Sequence, residues 1–171
     1  PNKQDSAVED TKKKLDKLTG LWCEIQAMAH KRMRNLGDAL ALVKKFWDEL
    51  QQVMGNLQDL ERALASQEPP AVEPKAIEAQ TEEHSDTKGG IDGTKPAVDT
   101  CRKSGSALLG VVGDSEKPEP KRQIEDLDSA WDSVTLMYAE RERNLLDAMV
   151  KGMEFHNMLQ KLLEFLGRSE N

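Results

Sequence analysis

The chain has 171 residues, of which 37% are apolar and 32% charged, with a formal net charge of −7; this is the size and make-up of one ordinary domain or slightly more. Only 4% of residues are aromatic, and an apolar inventory made mostly of Leu, Val, Ala and Met suits helix surfaces better than the pleated faces of strands. The acidic balance has no basic stripe of the kind that grips nucleic acid, and no apolar run approaches the roughly 20 residues needed to cross a bilayer.

The first element is a long helix. Stepping by sevens from Leu15 gives Leu15, Trp22, Ala29, Leu36, Val43, Leu50, Leu57 and Leu64; stepping from Leu18 gives Leu18, Ile25, Arg32, Ala39, Phe46, Val53 and Leu60. An apolar seam with 3,4 spacing kept in frame this long is coiled-coil packing, and its mismatch with 3.6 residues per turn imposes a left-handed supercoil. No proline falls between Gln4 and Glu68, so the pattern predicts one helix of about 60 residues, with residues 1–7 frayed at its start.

Three prolines, Pro69, Pro70 and Pro74, then mark a turn. A weaker helix follows, whose seam runs through Ile77, His84, Ile91, Val98, Cys101 and Leu108. Gly89, Gly90, Gly93 and Pro96 crowd one stretch of it. Each such glycine costs about 1 kcal/mol against alanine, and an interior proline about 3 kcal/mol. A kink or unwound turn is expected near Gly93 to Pro96, with tertiary packing holding the rest.

The last helix starts after Pro118 and Pro120 and ends near Gly167. Its seam reads Ile124, Trp131, Tyr138, Leu145, Gly152, Leu159 and Leu166, interleaved with Leu127, Val134, Arg141, Ala148, Phe155 and Leu162. This is the seam of the first helix written again. A constant spacing of 109 residues carries Trp22 onto Trp131, Ile25 onto Val134, Arg32 onto Arg141, Leu36 onto Leu145, Phe46 onto Phe155 and Leu50 onto Leu159, without a gap. Self-similarity at a fixed offset is the signature of stacked structural repeats, here with a unit of about three long helices.

The pattern L-x-x-L-x-x-x-W-x-x-[IV]-x-x-M-x-x-x-R-x-x-x-L at Leu15 to Leu36, written again at Ile124 to Leu145, resembles the third helix of a spectrin repeat. The run-on "LVKKFWDELQQVMGNLQDLERAL" resembles the first helix of the next repeat, and "KPAVDTCRKSGSALLG" is similar to a second helix. The flavour is that of a spectraplakin rod. The resemblance implies an all-α fold of left-handed three-helix coiled-coil bundles, with long helices running on from one repeat into the next. It divides the chain into the third helix of a preceding repeat over 8–35, a complete repeat over 36–149 with helices near 36–67, 74–112 and 119–149, and the first helix of a following repeat over 150–168. Gly37 and Gly152 stand close to the two junctions, where they would soften them.

Trp22, Ile25, Leu36, Phe46, Leu50, Val98, Leu108, Trp131, Val134, Leu145 and Phe155 are the expected core. Leu15, Leu18, Leu159, Leu162 and Leu166 are the residues expected to face a partner, since a half-repeat lacks two of its three helices. Arg32 and Arg141, the polar breaks in the seam, are expected to lay their stems over it and reach a carboxylate or solvent. Cys23 and Cys101 read as small buried apolar groups in a reducing cytosol. His30, His84 and His156 share no metal-ligand spacing with each other or with the cysteines. The glycines of "GGIDG" lack a phosphate-gripping pattern, and no nucleophile–base pair or carboxylate cleft can be assembled. No catalytic residue, cofactor or metal is therefore expected.

The resemblance implies a structural role: a spacer in a cytoplasmic, cytoskeletal cross-linker that links actin and microtubule networks and docks cytoskeletal proteins. The alternative is a dedicated interaction module that takes a helical segment of a partner, or a second copy of the chain as a homodimer, on its half-repeats. Neither reading involves nucleic acid or membrane insertion, and an enzyme is the remote third.

Overall fold

The computed structural model describes residues 2–169, which form three helices: α1 (Asn2–Ala65), α2 (Pro74–Leu109) and α3 (Pro118–Ser169). There is no strand among the described residues. The chain divides into two compact units, residues 1–44 and residues 45–171.

The first unit is the N-terminal part of α1. Residues 2–7, expected to fray, are helical instead, and Pro1 lies outside the described residues. Asp5 in the first turn complements the positive end of the helix dipole. Its apolar seam has no neighbour within the unit: Trp22 is 61% exposed, and Ile25 and Leu36 are exposed as well. Their expected place in a core is thereby corrected. Periodicity reports which face of a helix is apolar, and burial needs a second helix against it. Cys23 is exposed for the same reason. Replacing Trp22 with alanine should therefore shift the urea unfolding midpoint of the chain by less than about 0.5 kcal/mol equivalent, as an exposed site does, in contrast to the seam residues of the second unit.

The second unit is a three-helix bundle made by residues 45–65 of α1, by α2, and by α3. Phe46 approaches Gly105, and Leu60 approaches Gly90, so α1 and α2 are antiparallel. Gly105 also meets Ile124 at one end of α2, and Ile77 meets Gly152 at the other, so α2 and α3 are antiparallel too. It follows that α1 and α3 run parallel. The core between them holds Phe46, Leu50, Val53, Leu57 and Leu64 from α1, Ile77, Ile91, Val98, Cys101 and Leu108 from α2, and Leu127, Val134 and Leu145 from α3. These all lie on the apolar seam, and Trp131 sits beside them half-buried.

The connections follow from proline and side-chain capping. In the α1–α2 loop the Gln80 amide reaches back: its Nε2 donates to Pro69 O at 3.0 Å, and its Oε1 accepts from Ala71 N at 2.8 Å. Pro74 opens α2 and Pro118 opens α3, where the missing N–H has no intrahelical partner to lose. α2 ends at Leu109, a few residues before its expected end, and the Gly110 N–H closes back onto Ser106 and Ala107.

Of the kink or unwound turn expected near Gly93 to Pro96, the unwound turn does not form: α2 is helical throughout, with Pro96 inside it. Pro96 leaves the Asp92 carbonyl without its usual helical donor, but Asp92 is exposed and water can take that place. On either side Ile91, Val98 and Cys101 are buried, so packing overrides a poor local propensity.

Candidate interaction surface

Past Gly152 the third helix leaves its neighbours. α2 begins at Pro74, beside Gly152, so residues of α3 beyond that level have no helix from the bundle against them. Phe155, expected in the core, is 61% exposed for this reason. Leu159, Leu162 and Leu166 are exposed with it, as are Leu15 and Leu18 on the first unit. Phe155, Met158, Leu159 and Leu162 line a shallow apolar hollow on this free stretch. All five residues expected to face a partner are thus open, while Phe46, Leu50, Val98, Leu108, Val134 and Leu145 are covered.

The repeat arithmetic gives these open faces a meaning. Phe155, Leu159, Leu162 and Leu166 stand 109 residues after Phe46, Leu50, Val53 and Leu57, all four of which are core in the bundle. Ile25 and Leu36 likewise correspond to Val134 and Leu145, which are buried. The open faces therefore carry core sequence rather than surface sequence.

Gly152 is a point of close approach and not only a weak link in a helix. A Cβ there would lie 2.8 Å from the Val72 carbonyl oxygen and 3.4 Å from the Ile77 Cδ1, so the α1–α2 loop rests on a bare backbone. Gly37 has open space around it.

Polar links between the helices of the bundle are few and specific. Ser104 donates its hydroxyl to Glu49 Oε2 at 2.7 Å, joining α2 to α1. Arg102 joins α2 to α3 through an Nε contact of 2.6 Å to Asp128, and its Nη1 reaches Asp99 at 3.2 Å; the Asp128 hydrogen bond holds the guanidinium above its ordinary value. Burial, with help from Glu49, pushes the Cys101 thiol up to about 11, so it stays a neutral and inert packing group. Arg141 is half-buried with its Nε enclosed and unpartnered, whereas Arg32 is exposed.

His84 is the polar residue that the sequence placed on the seam without revealing its role. It is 2% exposed, stacks on Tyr138 with ring centroids 4.0 Å apart, and donates from Nε2 to the Tyr138 carbonyl at 3.1 Å. The local sequence around either residue carries no sign of this pairing, which joins positions on different helices. The rings border a niche of about 210 Å³ that also involves Thr81, Lys88, Glu142 and Leu146.

The described residues contain no group of three or more His, Cys, Asp or Glu placed to hold a metal ion, and no helix among them is long and apolar enough to cross a membrane. What the arrangement offers is open apolar helix surface on each of the two units and a packed bundle in the second.

Comparison with known proteins agrees with this geometry. The chain is 28% identical over 163 residues to microtubule-actin cross-linking factor 1 of Rattus norvegicus, a match covering 95% of this chain and 3% of that protein. It is equally similar to isoforms 6/7 of microtubule-actin cross-linking factor 1 of Homo sapiens, over 5% of their length, so it spans only a small part of the relatives it matches. The spectrin-repeat pattern itself matches residues 41–147, the stretch that holds the Phe46-to-Leu145 core, and the chain belongs to the spectrin-repeat family.

Proposed function

We infer that the chain is a structural segment of a cytoskeletal cross-linking protein, a rod unit whose work is to hold other parts of that protein apart. The observation that carries this reading is the core seam itself. It fills the bundle of the second unit and is written again, in phase, on helix surface that the bundle leaves open. In this reading residues 8–35 are the third helix of a preceding repeat, 36–149 a complete repeat and 150–168 the first helix of a following one. The relatives named for cross-linking microtubules and actin support a cytoplasmic, cytoskeletal setting with actin and microtubule networks at the far ends.

A spacer does not itself grip the filaments it separates. Co-sedimentation of the chain with actin filaments, and separately with microtubules, is expected to leave it in the supernatant in both cases. Pelleting with either filament would replace the spacer reading with direct filament binding.

A second reading, docking, is favoured by the exposed Leu15, Leu18, Leu159, Leu162 and Leu166. An amphipathic helix of a protein partner or a second copy of the chain would cover this surface.

A further inference from the structure

The inward face of α2 is unevenly furnished. Its C-terminal half is fastened by Val98, Cys101 and Leu108, all buried, by Ser104 to Glu49 and by Arg102 to Asp128. The N-terminal half meets the core through Ile77, His84 and Ile91, one residue per two turns. Between the halves lie Gly89, Gly90, Gly93 and Pro96, where the helix has least propensity of its own. His84 is the middle fastening of the weaker half, and its attachment depends on a neutral ring.

The geometry around the ring makes this so. Nε2–H is satisfied by the Tyr138 carbonyl, whereas Nδ1 is enclosed with no hydrogen-bond partner. A proton placed on Nδ1 creates a buried donor without an acceptor, and a buried donor left unmade is costly. The charges that act on the imidazole are Arg141, which opposes the cation, and Glu142, which favours it, both on α3; α1 sets no charge there. On α2 itself Lys88 borders the same niche. The Tyr138 phenol, raised by burial and by Glu142 and Asp92, stays neutral across the acidic range.

We propose that His84 is an acid-sensitive latch: protonation of its ring releases residues 74–93 of α2 from α1 and α3, while residues 97–109 stay in place and the turn from Gly93 to Pro96 acts as the hinge.

The direction of the effect follows from proton linkage. Burial, as the largest cause, outweighs the Tyr138 carbonyl bond, which favours the cation, and lowers the folded-state value of His84 below the ordinary 6.5, so the released state binds more protons than the latched one in the window beneath 6.5. The latch therefore weakens as pH falls through about 6.5 toward the lower folded value, and is fully closed above about pH 7.5. One unit below the free imidazole value, a single site can multiply the opening constant by at most about tenfold.

Hydrogen exchange read by mass spectrometry at about pH 7.5 and about pH 5.5, corrected for intrinsic exchange, tests this on the intact chain. The opening constant of 74–93 is expected to rise several-fold, up to about tenfold, while peptides from 97–109 and from the core of α3 change less than about twofold. With His84→Leu the rise should vanish. Should leucine suppress exchange beyond measurement, His84→Gln supplies a second ring-free comparison, again expected to be flat. An unchanged wild-type opening constant, a rise that persists in either variant, or a simultaneous opening of all three helices would each overturn the latch.

Discussion

Replacing Phe46 with alanine should lower the stability of the bundle by about 3–5 kcal/mol, the range for removing a large, fully enclosed side chain from a core. Phe46 is 0% exposed and lies where the three helices meet. Its Cε2 stands 2.9 Å from the place a Cβ would occupy on Gly105, a point that Ile124 also approaches. Trp47 touches the ring edge-on at 5.8 Å between centroids and is itself only half-buried. Urea unfolding followed by circular dichroism measures the effect. Phe155→Ala, 109 residues on, should change little in the same experiment, because the identical residue at the equivalent step is exposed. Equal losses for the two would mean that the free stretch of α3 is covered in solution.

Gly105→Ala is the converse experiment, adding volume at the same point. A methyl group there would lie 2.6 Å from Ile124 Cδ1 and 2.9 Å from Phe46 Cε2, closer than atoms can stand. Alanine gains about 1 kcal/mol of helix propensity over glycine, but overpacking of a filled core costs typically about 1–3 kcal/mol, and both the enclosed Phe46 and the half-buried Ile124 must move. The net result expected is a loss of about 1–2 kcal/mol. Combined with Phe46→Ala the substitution should become neutral or favourable, since the vacated ring leaves room for the methyl. A double-mutant cycle on the same unfolding assay measures that coupling; an additive result would place the crowding elsewhere.

The seam was the most legible feature. Leu50, Val53, Leu57 and Leu64 could be read from sevenfold steps alone, because a coiled-coil core imposes its period on the sequence. The helical class followed from the same steps, and the spectrin-repeat likeness from the tryptophan-centred pattern at Leu15 to Leu36 written again at Ile124 to Leu145. Burial at Trp22, Ile25, Leu36 and Phe155 was not legible, because an apolar stripe is the same string of letters whether or not a helix lies over it. At Gly93 to Pro96 the sequence argued for a kink or an unwound turn, and the structure keeps the helix wound: propensity is local and worth a few kcal/mol, whereas Ile91 and Val98 are anchored by helices distant in the chain. His84 was read as a seam member, but its bond to Tyr138 O spans 54 residues, a distance over which no spacing rule operates. Gly152 was read as a soft point at a junction, and it proves to be the floor on which Val72 rests.

The parallel course of α1 and α3 has a mechanical consequence. The polypeptide enters the bundle beside Phe46 and Ile124 at one end, and leaves it beside Gly152 and Pro74 at the other. A pull on the two ends of this bundle is therefore directed along the helix axes, in shear. Phe46, Leu50, Val53, Leu57 and Leu64 would have to slide together instead of peeling off one after another. A threefold bundle wired in this way resists extension with its whole interior at once, and it yields abruptly rather than by degrees.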